Sequence, residues 1–274
     1  MRAEPVTVSN GWLQLREAAD GAARSADLVD ELRRFLPTGG RALISDLGSG
    51  SGSMVRWLAP RLTGTQRWVL YDRDAELLRH ASATMPPQAR DGAVVTVETQ
   101  VRDITWLDPR ELAGSSLITA SALLDMMSAD ELGRLVATCA RAGCPVLIAL
   151  SVIGRVELTP TDPFDAQLAD AFNAHQRRTT GGRRLLGPDA VGVAADAFTR
   201  LGREVLVRPS PWQLGPDDAA LTTEWLRGWV AAAIEQRPEL TVAAAGYARR
   251  RAAEVTAGRL RATVHHHDLL VRPR

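Results

Sequence analysis

The sequence of 274 residues predicts an α/β fold in which a doubly wound, mostly parallel sheet of seven strands ends on an antiparallel strand. Short apolar segments alternate with segments of helical periodicity, and parallel strands need such crossover helices between them. The apolar segments are continuous, which is typical of a sheet covered on both faces. Hydrophobic residues make up 45% of the chain, enough to bury a substantial core. An N-terminal helix and a helical lid insert complete the predicted architecture.

The elements are predicted from spacing and from end signals. Apolar residues recur at helical spacing over residues 11–36, and Pro37-Thr38-Gly39-Gly40 ends that helix. Strands are predicted at residues 42–47, 68–71, 94–101, 117–121, 146–151, 204–207 and 260–271. Helices are predicted between them at residues 54–62, 74–85, 129–142, 165–175 and 188–201.

A long helical segment precedes the final strand. Residues 214–258 have helical periodicity, with breaks at Pro238 and Gly246. Such an insert would sit as a lid at one end of the sheet. We therefore expect four parts: an N-terminal helical cap (1–40), the α/β core (41–212), the lid insert (213–258) and the final strand of the core (259–274).

The composition excludes several function classes. All 33 basic residues are arginines, so Schiff-base chemistry, pyridoxal phosphate and a Walker-type phosphate loop are excluded for want of lysine. A net charge of +1 indicates no strong field toward nucleic acid or anionic lipid. Two cysteines, Cys139 and Cys144, are too few for a disulfide framework. With no signal-peptide pattern and no apolar run long enough to span a bilayer, we expect a cytoplasmic protein without a membrane partner.

A glycine-rich turn follows the first predicted strand and precedes a helix. Its sequence is Asp46-Leu47-Gly48-Ser49-Gly50-Ser51-Gly52. Glycines allow a sharp turn and the close approach of a ligand, and ligands of open α/β sheets bind at the carboxyl ends of the strands. The dinucleotide fingerprint fits poorly because Ser53 stands where it requires Gly or Ala. A nicotinamide-dependent oxidoreductase therefore remains an alternative whose fingerprint has one mismatch, at Ser53.

This turn resembles motif I of the class I (Rossmann-like) S-adenosylmethionine-dependent methyltransferases, whose pattern is acid-x-Gly-x-Gly-x-Gly. The resemblance covers residues 40–150 well and is topological beyond them. It implies that Asp46, Gly48, Ser49 and Gly50 surround the amino-acid end of S-adenosylmethionine, with Asp46 binding its ammonium group. A carboxylate beside a nest of backbone N–H groups suits this zwitterionic end of the cofactor.

Two more acids stand where the resemblance places cofactor contacts. Asp72 ends the second strand and would accept hydrogen bonds from both ribose hydroxyls, with Asp74 as the competing candidate. Asp103 follows the third strand and would bind the adenine amino group, while Ile104 would contact the ring. Ser121, after the fourth strand, belongs to the segment that passes under the cofactor. Each acid alone could instead be a helix cap or a turn residue.

The resemblance implies methyl transfer by in-line displacement, and we expect a small-molecule acceptor. The Asn/Asp-Pro-Pro-Tyr motif of exocyclic amino methylation and a Pro-Cys nucleophile are both absent from the sequence. An RNA methyltransferase and a non-catalytic, nucleoside-binding regulatory protein remain as alternatives. The chain could also form a homo-oligomer.

The candidate acceptor residues are few. His175 and His265 are candidate general bases, although His175 could equally be a solvated helix end. Alternation in the last strand places His265 and His267 on one face and His266 on the other, which argues against a metal site. Trp212 and Asp125 are predicted to line the acceptor pocket, with core packing as the alternative for the tryptophan.

Arginine runs leave a nucleic-acid surface to be considered. They are balanced by acids and lack interleaved aromatic residues, so we interpret Arg249-Arg250-Arg251 as a solvated helix face. On that interpretation, replacing all three with serine would leave turnover nearly intact.

Overall fold

A computed structural model describes residues 8–37 and 40–273, so Thr38 and Gly39 of the predicted break lie outside the described residues. The longer helices are α1 (Asn10–Ala23), α2 (Ala26–Leu32), α3 (Ser53–Leu58), α4 (Ala75–Ala83), α5 (Ala129–Ala142), α6 (Asp165–Gln176), α7 (Ala190–Arg200), α8 (Ala219–Gln236) and α9 (Thr241–Thr256). The strands are β1 (Arg41–Leu47), β2 (Thr65–Asp72), β3 (Val95–Val101), β4 (Leu117–Ser121), β5 (Val146–Thr159), β6 (Thr179–Thr180), β7 (Arg183–Arg184), β8 (Val205–Pro209), β9 (Trp212–Leu214) and β10 (Arg261–Val271).

The main sheet has the strand order β3-β2-β1-β4-β5-β10-β8. Strands β1 to β5 pair in parallel, and β10 is antiparallel to both β5 and β8. The prediction of a mostly parallel sheet of seven strands with an antiparallel last strand is confirmed. An eighth short strand, β9, pairs with the first part of β10 and was not predicted.

Both faces of the sheet are covered, which is what the continuous apolar strands predicted. One core cluster joins the sheet to α5 and α7, and a second joins its other face to α2, α3 and α4. Burial of apolar surface on both faces is the main stabilising contribution of this arrangement. The carboxyl ends of the parallel strands are left as the open edge where a ligand can bind.

The helix predicted over residues 11–36 is broken in the structure. Ser25 interrupts it between α1 and α2, and its hydroxyl caps α2 by accepting from the Leu28 N–H. The buried Asp268 carboxylate accepts the Ser25 N–H at 2.8 Å, the Leu150 N–H at 2.7 Å and the Ser210 hydroxyl at 2.5 Å. The prediction of one helix is wrong because a residue distant in sequence binds the backbone at the break.

Strand β5 is longer than predicted and reaches Thr159. Its outer half pairs with the first half of β10, which in turn pairs with β9. Helices α6, α8 and α9 pack on this antiparallel extension and form a third apolar cluster, here called the cap cluster. Its members include Leu158, Leu168, Trp212, Leu221, Trp229, Tyr247 and Val264. Segments outside the predicted lid boundaries therefore contribute to the cap.

The interpretation of the arginine run as a solvated face is wrong for Arg251. Its side chain is 1% exposed and donates two hydrogen bonds to Asp165 at 2.6 and 2.7 Å. It also donates to Glu254 and to the Pro160 carbonyl. Burial alone would lower the Arg251 pKa, but Asp165 and Glu254 outweigh it and raise the pKa. Replacing Arg249-Arg250-Arg251 with serine would therefore remove the buried hydrogen bonds of Arg251 beside the cap cluster.

Candidate functional site

A cavity of about 1010 Å³ opens at the carboxyl ends of β1, β2 and β4. Helix α1 and the hairpin β6–β7 form its other walls. It is lined by ten of the predicted site residues: Asp46, Gly48, Ser49, Gly50, Asp72, Asp103, Ile104, Ser121, Asp125 and His175. A second cavity, of about 750 Å³, lies between α1, α8 and α9 and is lined by none of the predicted site residues. The first cavity is therefore the candidate site, and we call it the cleft.

The glycine turn has the backbone that its sequence predicted. Gly48 and Gly50 have φ values of 65° and 52°, which favour glycine. A Cβ on Gly48 would lie 3.1 Å from the Leu123 side chain, which would have to shift to admit a larger residue. The N–H groups of Gly48 and Ser49 donate to the Tyr71 carbonyl, which fixes the turn to the end of β2.

Asp72 joins the turn to the next helix. One carboxylate oxygen accepts the Gly50 N–H at 2.8 Å, and the other accepts the Asp74 N–H at 2.9 Å. Asp74 is the N-cap of α4 and accepts from the backbone N–H groups of Glu76 and Leu77. Both acids line the cleft, but Asp74 serves as a helix cap, whereas Asp72 holds the glycine turn and keeps lone pairs available for further donors.

Asp46 is a buried carboxylate with one unpaired oxygen. Oδ1 accepts from the Thr119 hydroxyl at 2.6 Å, whereas Oδ2 is buried and has no hydrogen-bond partner among the residues that the structure describes. Burial raises the pKa of Asp46 to about 7. A buried polar atom without a partner is costly, so a cationic group bound in the cleft would stabilise the charged carboxylate.

The remaining predicted cofactor residues line the same cleft. Asp103 caps the short helix Ile104–Trp106 by accepting the Thr105 N–H at 3.0 Å. Ser121 accepts a hydrogen bond from Arg24 at 3.2 Å. Ala122, the next residue, also lines the cleft and has a φ of 52°, a strained conformation for a residue with a Cβ. The segment after β4 is therefore held in an uncommon backbone conformation beside the glycine turn.

Helix α1 supplies a wall of the cleft that was not predicted from the sequence. Trp12, Arg16, Asp20 and Arg24 recur every four residues and share one face of the helix. Arg16 forms a bidentate pair with Asp20 and lies 4.9 Å from the ring centroid of Trp212. Polar residues at this spacing, in a helix whose other positions are largely apolar, are the pattern that could have identified this face.

Trp212 is not among the residues that line the cleft, so the pocket prediction for it is corrected. Its side chain is buried behind α1, where the indole N–H donates to Asp20 at 2.9 Å. Its ring packs against Trp12 and His266. The pairing of β9 with β10 places Trp212 in this position, and its role is to support the wall formed by α1.

The two candidate histidines lie in different places. His175 lines the cleft, with Nδ1 at 3.2 Å from Arg178 and Nε2 at 3.3 Å from Glu235. Burial, followed by the charge of Arg178, lowers the His175 pKa and favours the neutral ring. His265 lies on β10, which contributes no lining residue to the cleft, and its Nε2 is 3.5 Å from Glu157.

Asp125 is the carboxylate of the cleft that was predicted to line the acceptor pocket. Within the described residues its own backbone N–H donates to it and no side chain does. Burial raises its pKa, and that backbone N–H and the charge of Arg16 partly oppose this shift. A carboxylate with a raised pKa beside a cavity is suited to accept a proton.

Residues 8–37 and 40–273 contain neither a metal site nor a membrane-spanning helix. No group of three or more His, Cys, Asp or Glu residues there is arranged to hold a metal ion. No helix within these ranges is long and apolar enough to cross a membrane.

The sequence matches no family model and no curated protein. Among solved structures, the chain is similar to the cyclopropane synthase MmaA2 from Mycobacterium tuberculosis, with 11% identity over 97% of this chain and 95% of that one, at a TM-score of 0.51. It is similar to the YcgJ protein from Bacillus subtilis, with 12% identity over 91% and 100% of the two chains, at a TM-score of 0.50. A third structure, the mycolic acid cyclopropane synthase CmaA1 complexed with S-adenosylhomocysteine, is 13% identical over 88% and 82%, with a TM-score of 0.45.

The likenesses to MmaA2 and YcgJ extend over nearly the whole chain and show its fold. Together with the strand order, they confirm the predicted doubly wound α/β class, which is the fold of the class I S-adenosylmethionine-dependent methyltransferases. A fold can serve many functions, so the activity depends on the residues of the cleft.

Proposed function

We propose that this chain, which has the class I methyltransferase fold, binds S-adenosylmethionine in the cleft and transfers its methyl group to a small-molecule acceptor. The observation that supports this most strongly is the meeting of Asp46, Asp72 and Asp103 with the glycine turn in one cavity. These residues lie up to 57 positions apart in sequence, taking Asp46 and Asp103 as the extremes. Each was predicted to contact a different part of the same ligand.

The residues fit this cofactor in charge and in shape. The unpaired Oδ2 of Asp46 would accept from the ammonium group of the ligand. At Gly48 the absence of a side chain leaves room for the ligand beside Leu123, to which a Cβ would approach within 3.1 Å. Asp72 would accept from the ribose hydroxyls with the lone pairs that Gly50 and Asp74 leave available.

The size and walls of the cleft favour a small acceptor. Its volume of about 1010 Å³ is at the upper end for small-molecule sites and suits a nucleoside cofactor and a small second ligand together. Helix α1 and the hairpin β6–β7 form the walls of the part of the cleft where the acceptor would bind, here called the acceptor end. The run Arg249-Arg250-Arg251 was the reason to consider an RNA substrate. In this run Arg251 is buried and Arg250 pairs with Asp162, so little of the run is available to phosphates.

When bound, the cofactor supplies a methyl group on a sulfonium for in-line displacement. The chain's own residues then have two tasks, to align the acceptor nucleophile and to take its proton where it has one. We assign the proton to Asp125, whose carboxylate is raised in pKa and lines the cleft. The Nδ1 of His175 is already engaged by Arg178, so His175 is better placed to orient that arginine.

The proposed function predicts which ligand stabilises the protein. S-adenosylhomocysteine at 100 times its dissociation constant should add about 2.7 kcal/mol to the free energy of unfolding, whereas NAD should add nothing measurable. Thermal denaturation with each ligand at saturation tests this. Stabilisation by NAD alone would favour the oxidoreductase alternative, and stabilisation by S-adenosylhomocysteine without turnover would favour a regulatory binder.

Cofactor affinity should depend on pH through Asp46. Its carboxylate is charged above a pKa of about 7, and the ammonium group binds the charged form. Affinity for S-adenosylhomocysteine should therefore fall by about tenfold from pH 8 to pH 6, because protonation of Asp46 competes with binding. Calorimetric titration across this range measures the slope. Asp46→Asn should bind weakly with no such slope, and a flat profile for the native protein would show that Asp46 does not face the ammonium group.

A further inference from the structure

The hairpin β6–β7 presents two arginines and a threonine to the cleft. Thr180 and Arg183 are cross-strand partners and share one face, and Arg178, two residues before Thr180, continues that face. All three line the cleft. Thr179 and Arg184 form the other cross-strand pair, and both are exposed to solvent on the opposite face.

The hairpin is fixed beside the segment that holds Asp125. Gly181 and Gly182 form its turn with positive φ values of 56° and 76°. Arg183 donates to the Met126 carbonyl at 3.0 Å, and the Leu186 N–H donates to the Met127 carbonyl at 2.8 Å. The inward face of the hairpin and the proposed proton acceptor are therefore parts of one wall.

The four arginines of residues 177–184 differ in their partners. Arg177 forms a bidentate pair with Asp189, and Arg183 pairs with Glu131 at 2.6 Å. Arg178 contacts only the ring and the carbonyl of His175, and within the described ranges no carboxylate lies within 4.0 Å of it. The Nε of Arg183 is also buried and has no hydrogen-bond acceptor in the described part of the chain. An inward cation without an acidic partner is thus left beside the acceptor end of the cleft.

We infer that Arg178, with Thr180 and Arg183 beside it, binds an anionic group of the acceptor, a carboxylate or a phosphate. A guanidinium group matches both oxyanions with two parallel hydrogen bonds. The apolar side chains of Phe172 and Leu185, which also line this end, would contact the rest of the acceptor. The inference rests on the proposed function, because it concerns the second ligand of the same cleft.

The test uses matched pairs of probes that differ in charge and hardly in size. Acetate, benzoate and 4-hydroxybenzoate are titrated against their amides by NMR, with and without saturating S-adenosylhomocysteine, and phenyl phosphate is added as the phosphate arm. In at least one pair the acid should bind about 10- to 100-fold more tightly than the amide. Tighter binding of phenyl phosphate than of every carboxylate would identify the phosphate as the preferred oxyanion. If no pair prefers the acid and phenyl phosphate does not bind, the inference is wrong.

Arg178→Gln and Arg184→Gln are the matched variants, since each replaces a charged arginine of the same hairpin region with a shorter, neutral side chain. Arg178→Gln should abolish the preference for the anion, and Arg184→Gln should keep it. Equal loss in both variants would mean a general charge effect and would overturn the inference. Calorimetry should give both variants the native affinity for S-adenosylhomocysteine within about threefold, which shows that they are folded. Absence of that binding in the native protein counts against the proposed function, whereas binding without anion preference counts against this inference alone.

Discussion

Arg251→Ser is expected to lower the free energy of unfolding by about 3–5 kcal/mol, because it leaves the Asp165 carboxylate without its buried partner. The hydroxyl of Tyr247 also donates to Asp165 and cannot replace a bidentate guanidinium group. Urea denaturation of the variant measures the loss.

Arg249→Ser is the matched control on the same helix. Arg249 is exposed, so its replacement should change stability by no more than about 0.5 kcal/mol. A loss below about 1 kcal/mol for Arg251→Ser would mean that water reaches the Asp165 carboxylate. Since Asp165 begins α6 and His175 lies near its end, the variant should also loosen the acceptor wall of the cleft.

Asp72→Ala should weaken binding of S-adenosylhomocysteine by about 30- to 1,000-fold. It removes two charge-assisted hydrogen bonds to the ribose, each worth roughly 1.5–3 kcal/mol. Water that enters the gap recovers part of this binding free energy. The structure adds a second reason, since Gly50 loses the carboxylate that holds the glycine turn. Calorimetric titration gives the affinity directly.

Asp74→Ala separates the two neighbouring acids. Asp74 caps α4, so its loss should cost stability of about 0.5–2 kcal/mol and change affinity by less than about fivefold. Loss of affinity in Asp74→Ala with retention in Asp72→Ala would show that the ribose contact lies two residues further on. Retention in both variants would reject the ribose assignment.

The features that the sequence predicted depend on neighbouring residues. The strands of the parallel core, helix α5 and the glycine turn are encoded by local periodicity, caps and glycines, and each has its predicted place. The residues predicted to bind the cofactor share one cleft because the ends of parallel strands meet at one edge of the sheet. Their common place in the cleft could therefore be predicted without knowing any contact.

The features that could not be predicted depend on partners far along the chain. The break at Ser25 needs Asp268, and the extension of β5 needs β10. Burial of Arg251 needs Asp165, which no helical periodicity reveals. The orientation of Trp212 follows from the β9–β10 pairing, whose register local sequence does not specify. In each case tertiary contacts decided between two locally acceptable conformations.

The hydrogen bond from Ser25 to Asp268 also determines the order in which parts of the cleft can form during synthesis. This bond spans 243 positions of the chain. At translation rates of about 5–20 residues per second, roughly 10–50 seconds separate the appearance of the two residues. After Gly52 the growing chain contains the entire glycine turn, and over the next 216 positions, up to Asp268, the Ser25 junction between α1 and α2 still lacks its acceptor. The wall of the cleft formed by α1 is thus completed long after the glycine turn has been made.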